Sequence, residues 1–236
     1  FGAEVVDHRT WAFVGDGCLQ EGVGQEAISL AGHLKLGRLT FFWDDNAITD
    51  DGSTVLSISE NVADRFRVAG WHVIEVDGHD IDAVDAAITL AKRDPRPSLI
   101  ACRTTIARGV ERLEGQRGGH SGKLFASDRE TMTARFGWGA EAFSVPDDVA
   151  AAWRAAGRRG AEARLLWTAR LAGLGPAVRA EFERVIAGRL PAGVGEALAG
   201  LKAEWFAEGR SDFSIQTSSD VASLLYDRMP EILVGC

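Results

Sequence analysis

Short apolar runs alternate with amphipathic segments over the first hundred residues of the chain. The apolar runs are bounded by glycine, proline or acidic residues, which is typical of buried strands. They occupy residues 10–14, 39–43, 71–76 and 98–102. Between them, apolar residues recur every three or four positions, which predicts helices. These helices span residues 25–36, 62–69 and 81–92. Strands that alternate with helices in this order predict an α/β fold with a doubly wound parallel sheet.

The second half of the chain has a different pattern. Residues 107–127 are rich in glycine and charge without periodicity, which predicts a long functional loop. Helical periodicity then runs from about residue 147 to 188, with a break at 173–176, and residues 190–193 form a linker. A helix over 220–229 followed by the apolar run 232–234 is typical of the start of another α/β unit.

Composition narrows the class of protein. The chain is 46% hydrophobic and 25% charged, as in soluble globular proteins. Its net charge of -8 argues against a nucleic-acid partner, because phosphate backbones require a basic surface. A helix that spans a bilayer needs about 20 consecutive apolar residues, and no apolar run in the sequence approaches that length. We therefore expect no membrane partner. Three cysteines without CxxC spacing fit a reducing compartment, and we expect a cytoplasmic protein.

The two termini suggest a piece of a longer enzyme. The chain opens at Phe1-Gly2 without an initiator methionine and stops at Cys236 directly after an apolar run. We therefore expect an internal fragment, with further segments on both sides.

Polar residues follow two of the predicted strands. Asp16 lies between Gly15 and Gly17 after the first strand, and Asn46 follows the second. A right-handed crossover places such strands side by side, so that both side chains reach one crevice at the carboxyl ends. The glycines let a ligand approach the backbone, and their N–H groups can donate to phosphate oxygens. Mg²⁺ prefers oxygen ligands and takes some of them from phosphates, so this pattern predicts a metal-bridged diphosphate site.

Several runs together resemble the transketolase family of thiamine-diphosphate enzymes. They are Gly-Asp-Gly-Cys-Leu-Gln-Glu-Gly at 15–22, Trp-Asp-Asp-Asn at 43–46, Gly-Trp-His-Val at 70–73 and Arg-Thr-Thr-Ile at 103–106. The resemblance covers most of residues 1–125. It implies a thiamine-diphosphate-binding fold. We expect a diphosphate-binding domain at 1–165 that lacks its N-terminal part, a helical interdomain linker at 166–210 and the truncated start of a pyrimidine-binding domain at 211–236.

The resemblance also implies roles for particular residues. Asp16, Asn46 and the carbonyl of Ile48 would hold Mg²⁺, Ca²⁺ or another divalent cation, and Gly17 and Asn46 would contact the diphosphate. His120, in a loop after the Thr-Ile run, is the best match to a family histidine that touches both the cofactor and the sugar substrate, and it is our predicted catalytic residue.

The implied activity is transfer of a two-carbon ketol unit from a ketose phosphate to an aldose phosphate. Family members act as homodimers, and Glu21 and Glu26 correspond to acidic residues near that interface. The pathway, pentose phosphate or Calvin cycle, stays open. The family carries a phosphate-binding arginine where this chain has Ser-Ile-Gln-Thr-Ser at 214–218. Which residues would bind the phosphate of the sugar is therefore an open question at this point.

Other interpretations stay open from the sequence alone. A Gly-Asp-Gly turn by itself is common, and a histidine in a glycine-rich loop is by default solvated. The parent could instead be another thiamine-diphosphate sugar-phosphate enzyme, similar to dihydroxyacetone synthase. The chain could also be a non-catalytic, truncated remnant that binds only the cofactor or a partner chain.

Overall fold

A computed structural model describes residues 1–139, 141 and 143–232. The chain divides into two compact units, one formed by His8–Val149 and the other by Phe1–Asp7 with Ala150–Cys236.

The first unit contains a parallel sheet, a small hairpin and several helices. In chain order the elements are β1 (Thr10–Gly15), α1 (Gly22–His33), β2 (Leu39–Asp45), β3 (Ile48–Thr49), β4 (Gly52–Ser53), α2 (Val62–Val68), β5 (His72–Asp77), α3 (Ile81–Ala91), β6 (Ser98–Arg103), α4 (Gly118–Ser121) and α5 (Ala126–Phe136).

The sheet has the order β1-β2-β6-β5, and every pairing in it is parallel. Strands β1 and β2 are neighbours, with Val14 opposite Trp43 and Gly15 opposite Asp44. Helix α1 connects them, as the crossover rule requires for adjacent parallel strands. The predicted α/β class and parallel sheet are therefore confirmed.

Both faces of the sheet are packed. On one face Trp43 and Leu99 join residues of α1 and α2, including the fully buried Phe66. On the other face Ile100 packs against Ala87 and other residues of α3. Successive strand residues point to opposite faces, so the neighbours Leu99 and Ile100 belong to different core clusters. This two-sided core is the doubly wound arrangement that the sequence predicted.

Helix α1 lies close to the turn between α2 and β5. The Trp71 indole Nε1 donates a hydrogen bond of 2.9 Å to the Ile28 carbonyl, and Trp71 is 1% exposed. A Cβ at Gly32 would overlap the Ala69 carbonyl oxygen, so only glycine lets the helix approach that backbone. Gly70 has φ +88, in the left-handed region that favours glycine.

Strand β1 lies at one edge of the sheet and exposes two aromatic side chains. Phe13 is 84% exposed and Trp11 is 38% exposed. Both rings stack on Phe42 of β2, with centroid distances of 5.2 Å and 5.8 Å. We call these three residues the β1 aromatic stripe.

The second unit is helical within the described residues. Its elements are α6 (Asp147–Arg158), α7 (Gly160–Ala172), α8 (Pro176–Ile186), α9 (Val194–Glu208) and α10 (Ser214–Tyr226). The Phe182 ring packs edge-on against Phe1 and Trp167, and the Trp167 indole Nε1 donates to the Val5 carbonyl at 2.8 Å. The predicted helical stretch is confirmed, with a break at 173–175 and a further one at Arg159.

Four sequence predictions need correction or stay open. Residues 107–127 are not all loop, because α4 and the start of α5 lie within them. The Asp128 carboxylate fixes the start of α5 by accepting from the Phe125 N–H at 2.7 Å and from Arg112.

The helix predicted over 220–229 begins earlier, at Ser214. In the predicted strand 232–234, Ile232 is not in a strand, and Leu233 and Val234 lie outside the described residues. The three domain boundaries stay a prediction.

Within the described part of the chain, no helix combines the length and apolarity needed to cross a bilayer.

The Gly32 contact gives a direct test of the α1 packing. Substitution of Gly32 by alanine is expected to lower the free energy of unfolding by about 3 kcal/mol, because Cβ and the Ala69 carbonyl oxygen cannot share the space. Gly22→Ala is the matched control, since Gly22 begins the same helix and its Cβ would meet no atom within 4 Å. Urea unfolding of both variants checks this, and equal stabilities would contradict the packing described here.

Candidate active site

A cleft of about 610 Å³ lies beyond the carboxyl ends of β1 and β2. Asp16 and Asn46 each follow one of these strands, and the register that pairs Gly15 with Asp44 brings the two strand ends to the same level. Ligands in parallel α/β sheets bind at this edge. The structure brings together around this cleft all of the predicted site residues, which are Asp16, Gly17, Asn46, Ile48 and His120.

Asp16 is a buried carboxylate with one oxygen unpartnered. The residue is 5% exposed. Its Oδ1 accepts a hydrogen bond from the Trp43 indole Nε1 at 3.2 Å, whereas Oδ2 is buried without a hydrogen-bond partner. Leaving a buried carboxylate oxygen unpaired costs free energy, so such an atom calls for a ligand.

Burial also changes the acidity of Asp16. Loss of hydration raises its pKa to about 6 from the ordinary 3.8, and the nearby carboxylates Asp45 and Asp44 act in the same direction. The hydrogen bond from Trp43 opposes the rise. A divalent cation on this carboxylate would favour the ionised form and remove the penalty.

Hydrogen bonds fix the side-chain amide of Asn46. Its Nδ2 donates to Asp44 Oδ2 at 3.1 Å, and its Oδ1 accepts from the Ile48 N–H at 2.9 Å. The other oxygen of Asp44, Oδ1, accepts from the Thr104 hydroxyl beyond the end of β6. The amide nitrogen has an acceptor as its partner and the amide oxygen has a donor. These two hydrogen bonds therefore fix the orientation of the amide.

The two acidic residues before Asn46 have different environments. Asp44 is exposed and lines the cleft. Asp45 is 9% exposed and pairs with Arg103 Nη2 at 2.9 Å. Burial raises the pKa of Asp45, and the Arg103 guanidinium opposes that rise. Successive side chains of a strand point to opposite faces of the sheet. Asp44 therefore lines the cleft, and Asp45 forms an ion pair on the other face.

A strained residue joins Asn46 to the β3–β4 hairpin. Ala47 has φ 61, in the left-handed region that non-glycine residues seldom occupy. Its carbonyl accepts from the Thr54 N–H at 3.0 Å, and the hairpin pairs Ile48 with Ser53. Non-glycine residues in this region cost of order 1 kcal/mol and occur most often at functional sites. The left-handed conformation of Ala47 turns the chain between Asn46 and Ile48, and both of these residues line the cleft.

The glycines beside Asp16 leave open space. Gly17 has φ -62 and ψ -41, an ordinary helical conformation. A Cβ at Gly15 or Gly17 would meet no atom of the protein within 4 Å. Neither the backbone nor the packing requires glycine here, so the space above these residues is available to a ligand.

His120 lies on the short helix α4 at the other side of the cleft. Its side chain is 47% exposed, and its Nδ1 lies 3.4 Å from Asp50 Oδ1 in the hairpin turn. The structure therefore brings His120 to the same cleft as Asp16 and Asn46, although more than 70 residues separate it from Asn46 in the sequence.

The cleft is strongly acidic. Among the described residues that line it, His120 is the one basic side chain. The acidic ones are Asp16, Glu21, Asp44, Asp50 and Asp51. A bare diphosphate would be repelled by these charges, so a cation must accompany it. No group of three or more His, Cys, Asp or Glu side chains in the described ranges is arranged to hold a metal ion alone. A metal here therefore needs amide, carbonyl and ligand oxygens besides Asp16.

The raised pKa of Asp16 predicts a pH-dependent difference in stability. Between pH 3.8 and about 6 the folded chain retains a proton that the unfolded chain releases. The stabilising effect of this proton is complete below pH 3.8 and is lost as the pH rises through about 6. Without divalent cation, Asp16→Asn should therefore gain about 2 kcal/mol of unfolding free energy relative to wild type on going from pH 4 to pH 7.

Urea unfolding in chelator at both pH values measures this difference, and other titrating groups cancel between the two proteins. A difference that does not change with pH would contradict the buried, unpaired carboxylate.

A profile described as "Transketolase, thiamine diphosphate binding domain" matches residues 1–191. Transketolase 1 of Aliivibrio fischeri is 41% identical over 238 residues, covering 99% of this chain and 36% of the relative. A transketolase of Cereibacter sphaeroides is 40% identical over 235 residues, covering 100% of this chain and 35% of the relative. The chain thus spans about a third of the length of these curated relatives.

Solved structures agree with this assignment. Transketolase from Leishmania mexicana superposes with a TM-score of 0.80 at 33% identity, covering 96% of this chain and 34% of that one. A Pichia stipitis transketolase in complex with sedoheptulose-7-phosphate gives a TM-score of 0.73 at 39% identity, covering 80% and 29% of the two chains. These relatives are all transketolases, and they do not favour a dihydroxyacetone synthase-like enzyme or a non-catalytic remnant. The chain belongs to the transketolase family, and its residues 1–191 match the family's thiamine diphosphate binding domain.

Proposed function

We propose that the chain is the diphosphate- and metal-binding part of a transketolase that transfers a two-carbon ketol unit from a ketose phosphate to an aldose phosphate. The observation that carries the proposal is the buried, unpartnered Oδ2 of Asp16 in an acidic cleft of a thiamine diphosphate binding domain. Such an atom fits a cation that carries a diphosphate, because both the carboxylate and the phosphates are then neutralised.

The residues around Asp16 fit a hard divalent cation. Asp16 offers a carboxylate oxygen, Asn46 an amide oxygen and Ile48 a backbone carbonyl. Oxygen-only donors select Mg²⁺, Ca²⁺ or Mn²⁺ over metals that prefer sulfur or imidazole. Mg²⁺ is our first choice, since it takes its remaining ligands from phosphates and water.

Gly17 and Asn46 would hold the diphosphate itself. The open space at Gly17 allows a phosphate oxygen to reach the backbone N–H, which can donate to it. Asn46 would then serve both metal and diphosphate, as its fixed amide orientation permits. When bound, thiamine diphosphate supplies the electron sink for breaking and forming carbon–carbon bonds beside a carbonyl.

His120 would contact the cofactor and the sugar. An imidazole can donate and accept protons near neutral pH, so it suits a reaction that moves protons on sugar hydroxyls. Its place in the lining of the same cleft as Asp16 and Asn46 supports this role.

Substrate class, assembly and location are proposed here by analogy with the family. Pichia stipitis transketolases have been solved with fructose-6-phosphate and with sedoheptulose-7-phosphate, which supports sugar phosphates as substrates here. We further propose a homodimer of the full-length polypeptide, located in the cytoplasm and serving the pentose phosphate or Calvin pathway. The boundaries 1–165, 166–210 and 211–236 are our proposal for the domain organisation.

Calorimetry of the 236-residue chain with thiamine diphosphate tests the site. Binding is expected with Mg²⁺ and not with chelator, because the acidic cleft repels a bare diphosphate. Asp16→Ala should weaken binding at least tenfold, about 1.4 kcal/mol, through loss of the charged ligand.

Asp77→Ala serves as the matched control, since Asp77 lies at the end of β5 and does not line the cleft. Metal-independent binding, or equal affinities for the Asp16→Ala and wild-type chains, would overturn the proposed site. In a polypeptide of transketolase length, glycolaldehyde transfer should be lost with Asp16→Ala, and its absence from the wild type would overturn the activity.

Asp44 provides a second test through Asn46. Asp44→Ala removes the acceptor of the Asn46 amide, so that the amide can rotate away from the metal. Affinity for the Mg²⁺–thiamine diphosphate pair should fall by about tenfold, the usual effect of losing a group that orients a ligand. Asp44→Asn keeps an acceptor oxygen and should restore most of the affinity. An equal loss in both variants would show that charge, and not orientation, is what Asp44 supplies.

A further inference from the structure

One acidic residue, Asp50, links the two sides of the cleft. It lies in the turn of the β3–β4 hairpin, two residues after Ile48. Three groups from the region of α4 contact it, although they lie 67–71 residues away in the sequence. Arg117 Nε donates to the Asp50 carbonyl at 2.7 Å, and the Ser121 hydroxyl donates to Asp50 Oδ1 at 3.3 Å.

The third contact is with the predicted catalytic histidine. His120 Nδ1 lies 3.4 Å from Asp50 Oδ1, the same oxygen that accepts from Ser121. A carboxylate beside Nδ1 favours a proton on that nitrogen. In the neutral ring Nε2 then carries the lone pair and is the nitrogen able to accept a proton.

We propose that Asp50 is a positioning residue, which docks the His120-bearing helix on the β3–β4 hairpin and selects the Nδ1–H tautomer of His120. The hairpin begins at Ile48, whose carbonyl is a proposed metal ligand, so the same element carries both a cofactor contact and the partner of His120. The distance between metal site and histidine is therefore set through Asp50.

A short helix needs such a partner. Helix α4 has four residues, too few to be stable alone. It lies in a glycine-rich segment, where backbone freedom must be offset by tertiary contacts. Asp50 supplies contacts to three residues at once, Arg117, His120 and Ser121, through both its backbone carbonyl and its carboxylate.

The adjacent Asp51 provides an internal comparison. It occupies the same hairpin turn and also lines the cleft, so it carries the same charge at nearly the same place. No hydrogen bond or ion pair joins its side chain to α4 in the described part of the chain. Removal of Asp51 therefore controls for charge and turn composition, and removal of Asp50 tests the specific contacts.

The test reads the tautomer of His120 directly. The 236-residue chain, labelled with ¹⁵N-histidine, is compared as wild type, Asp50→Ala, Asp50→Asn and Asp51→Ala, and His120→Gln assigns the signal. Spectra are taken on the alkaline plateau of the ¹⁵N shifts, above the pH range in which they change, so that the ring is neutral.

We expect mainly the Nδ1–H tautomer in wild type and in Asp51→Ala, and a shift toward Nε2–H in Asp50→Ala. Asp50→Asn retains an acceptor oxygen and should lie between them. Wild type with mainly Nε2–H, or an Asp50→Ala spectrum identical to wild type, would overturn the proposal.

The catalytic consequence rests on the proposed function, and its test is separable from that function. In a transketolase-length polypeptide, Asp50→Ala should lower kcat about tenfold or more, within the range for loss of an oriented proton carrier. Affinity for Mg²⁺ and thiamine diphosphate should change much less than in Asp16→Ala, since the proposed metal ligands are untouched.

If Asp16→Ala abolishes cofactor binding while Asp50→Ala leaves kcat unchanged, the positioning role fails and the proposed function stands. If wild type binds no cofactor, the proposed function fails, and the tautomer of His120 still decides whether Asp50 positions it.

Discussion

The parallel pairing of β1 with β2 is the constraint on which the site depends. It sets Gly15 opposite Asp44, and this register brings Asp16 and Asn46 past the strand ends at the same level. A shift by one residue would turn Trp43 to the other face of the sheet, away from both the core and Asp16. Packing of the core therefore fixes the register of β1 against β2, and this register brings the residues of the candidate site together.

Trp43 connects that core to the chemistry. Its ring belongs to the buried cluster on the α1–α2 face, and its indole N–H is the donor to Asp16. One hydrogen bond satisfies one oxygen of a carboxylate that is almost fully out of water, and the other oxygen is buried without a hydrogen-bond partner. If a cation binds there as proposed, it would recover free energy that is lost by burying Asp16, and few protein ligands would then be needed.

Sequence pattern predicted the elements whose signals are local. Apolar runs gave the four strands of the sheet, and the glycines and polar residues at their ends gave Asp16, Gly17 and Asn46. Two parts of the site were beyond reach, because they depend on long-range contacts. The hydrogen bond between Trp43 and Asp16 follows only once the strand register is known.

The contact of Asp50 with His120 joins segments 70 residues apart, and nothing in the turn Asp50-Asp51 indicates which acid makes it. Helix α5 was missed for a similar reason. Its first turn is capped by Asp128 and tied to Arg112, whereas its apolar periodicity is weak. The left-handed conformation of Ala47 also had no sequence signal, since alanine there breaks the usual preference for glycine or asparagine.

The β1 aromatic stripe has a consequence for how molecules of this chain behave toward each other. A strand at the edge of the described sheet, beside exposed aromatic rings, is a surface that favours association with other copies. The net charge of -8 opposes this attraction by keeping copies apart. Salt screens that repulsion, with a decay length of about 10 Å at 0.1 M, and leaves the aromatic attraction intact. The colloidal stability of the isolated chain is therefore a balance that ionic strength tips toward association.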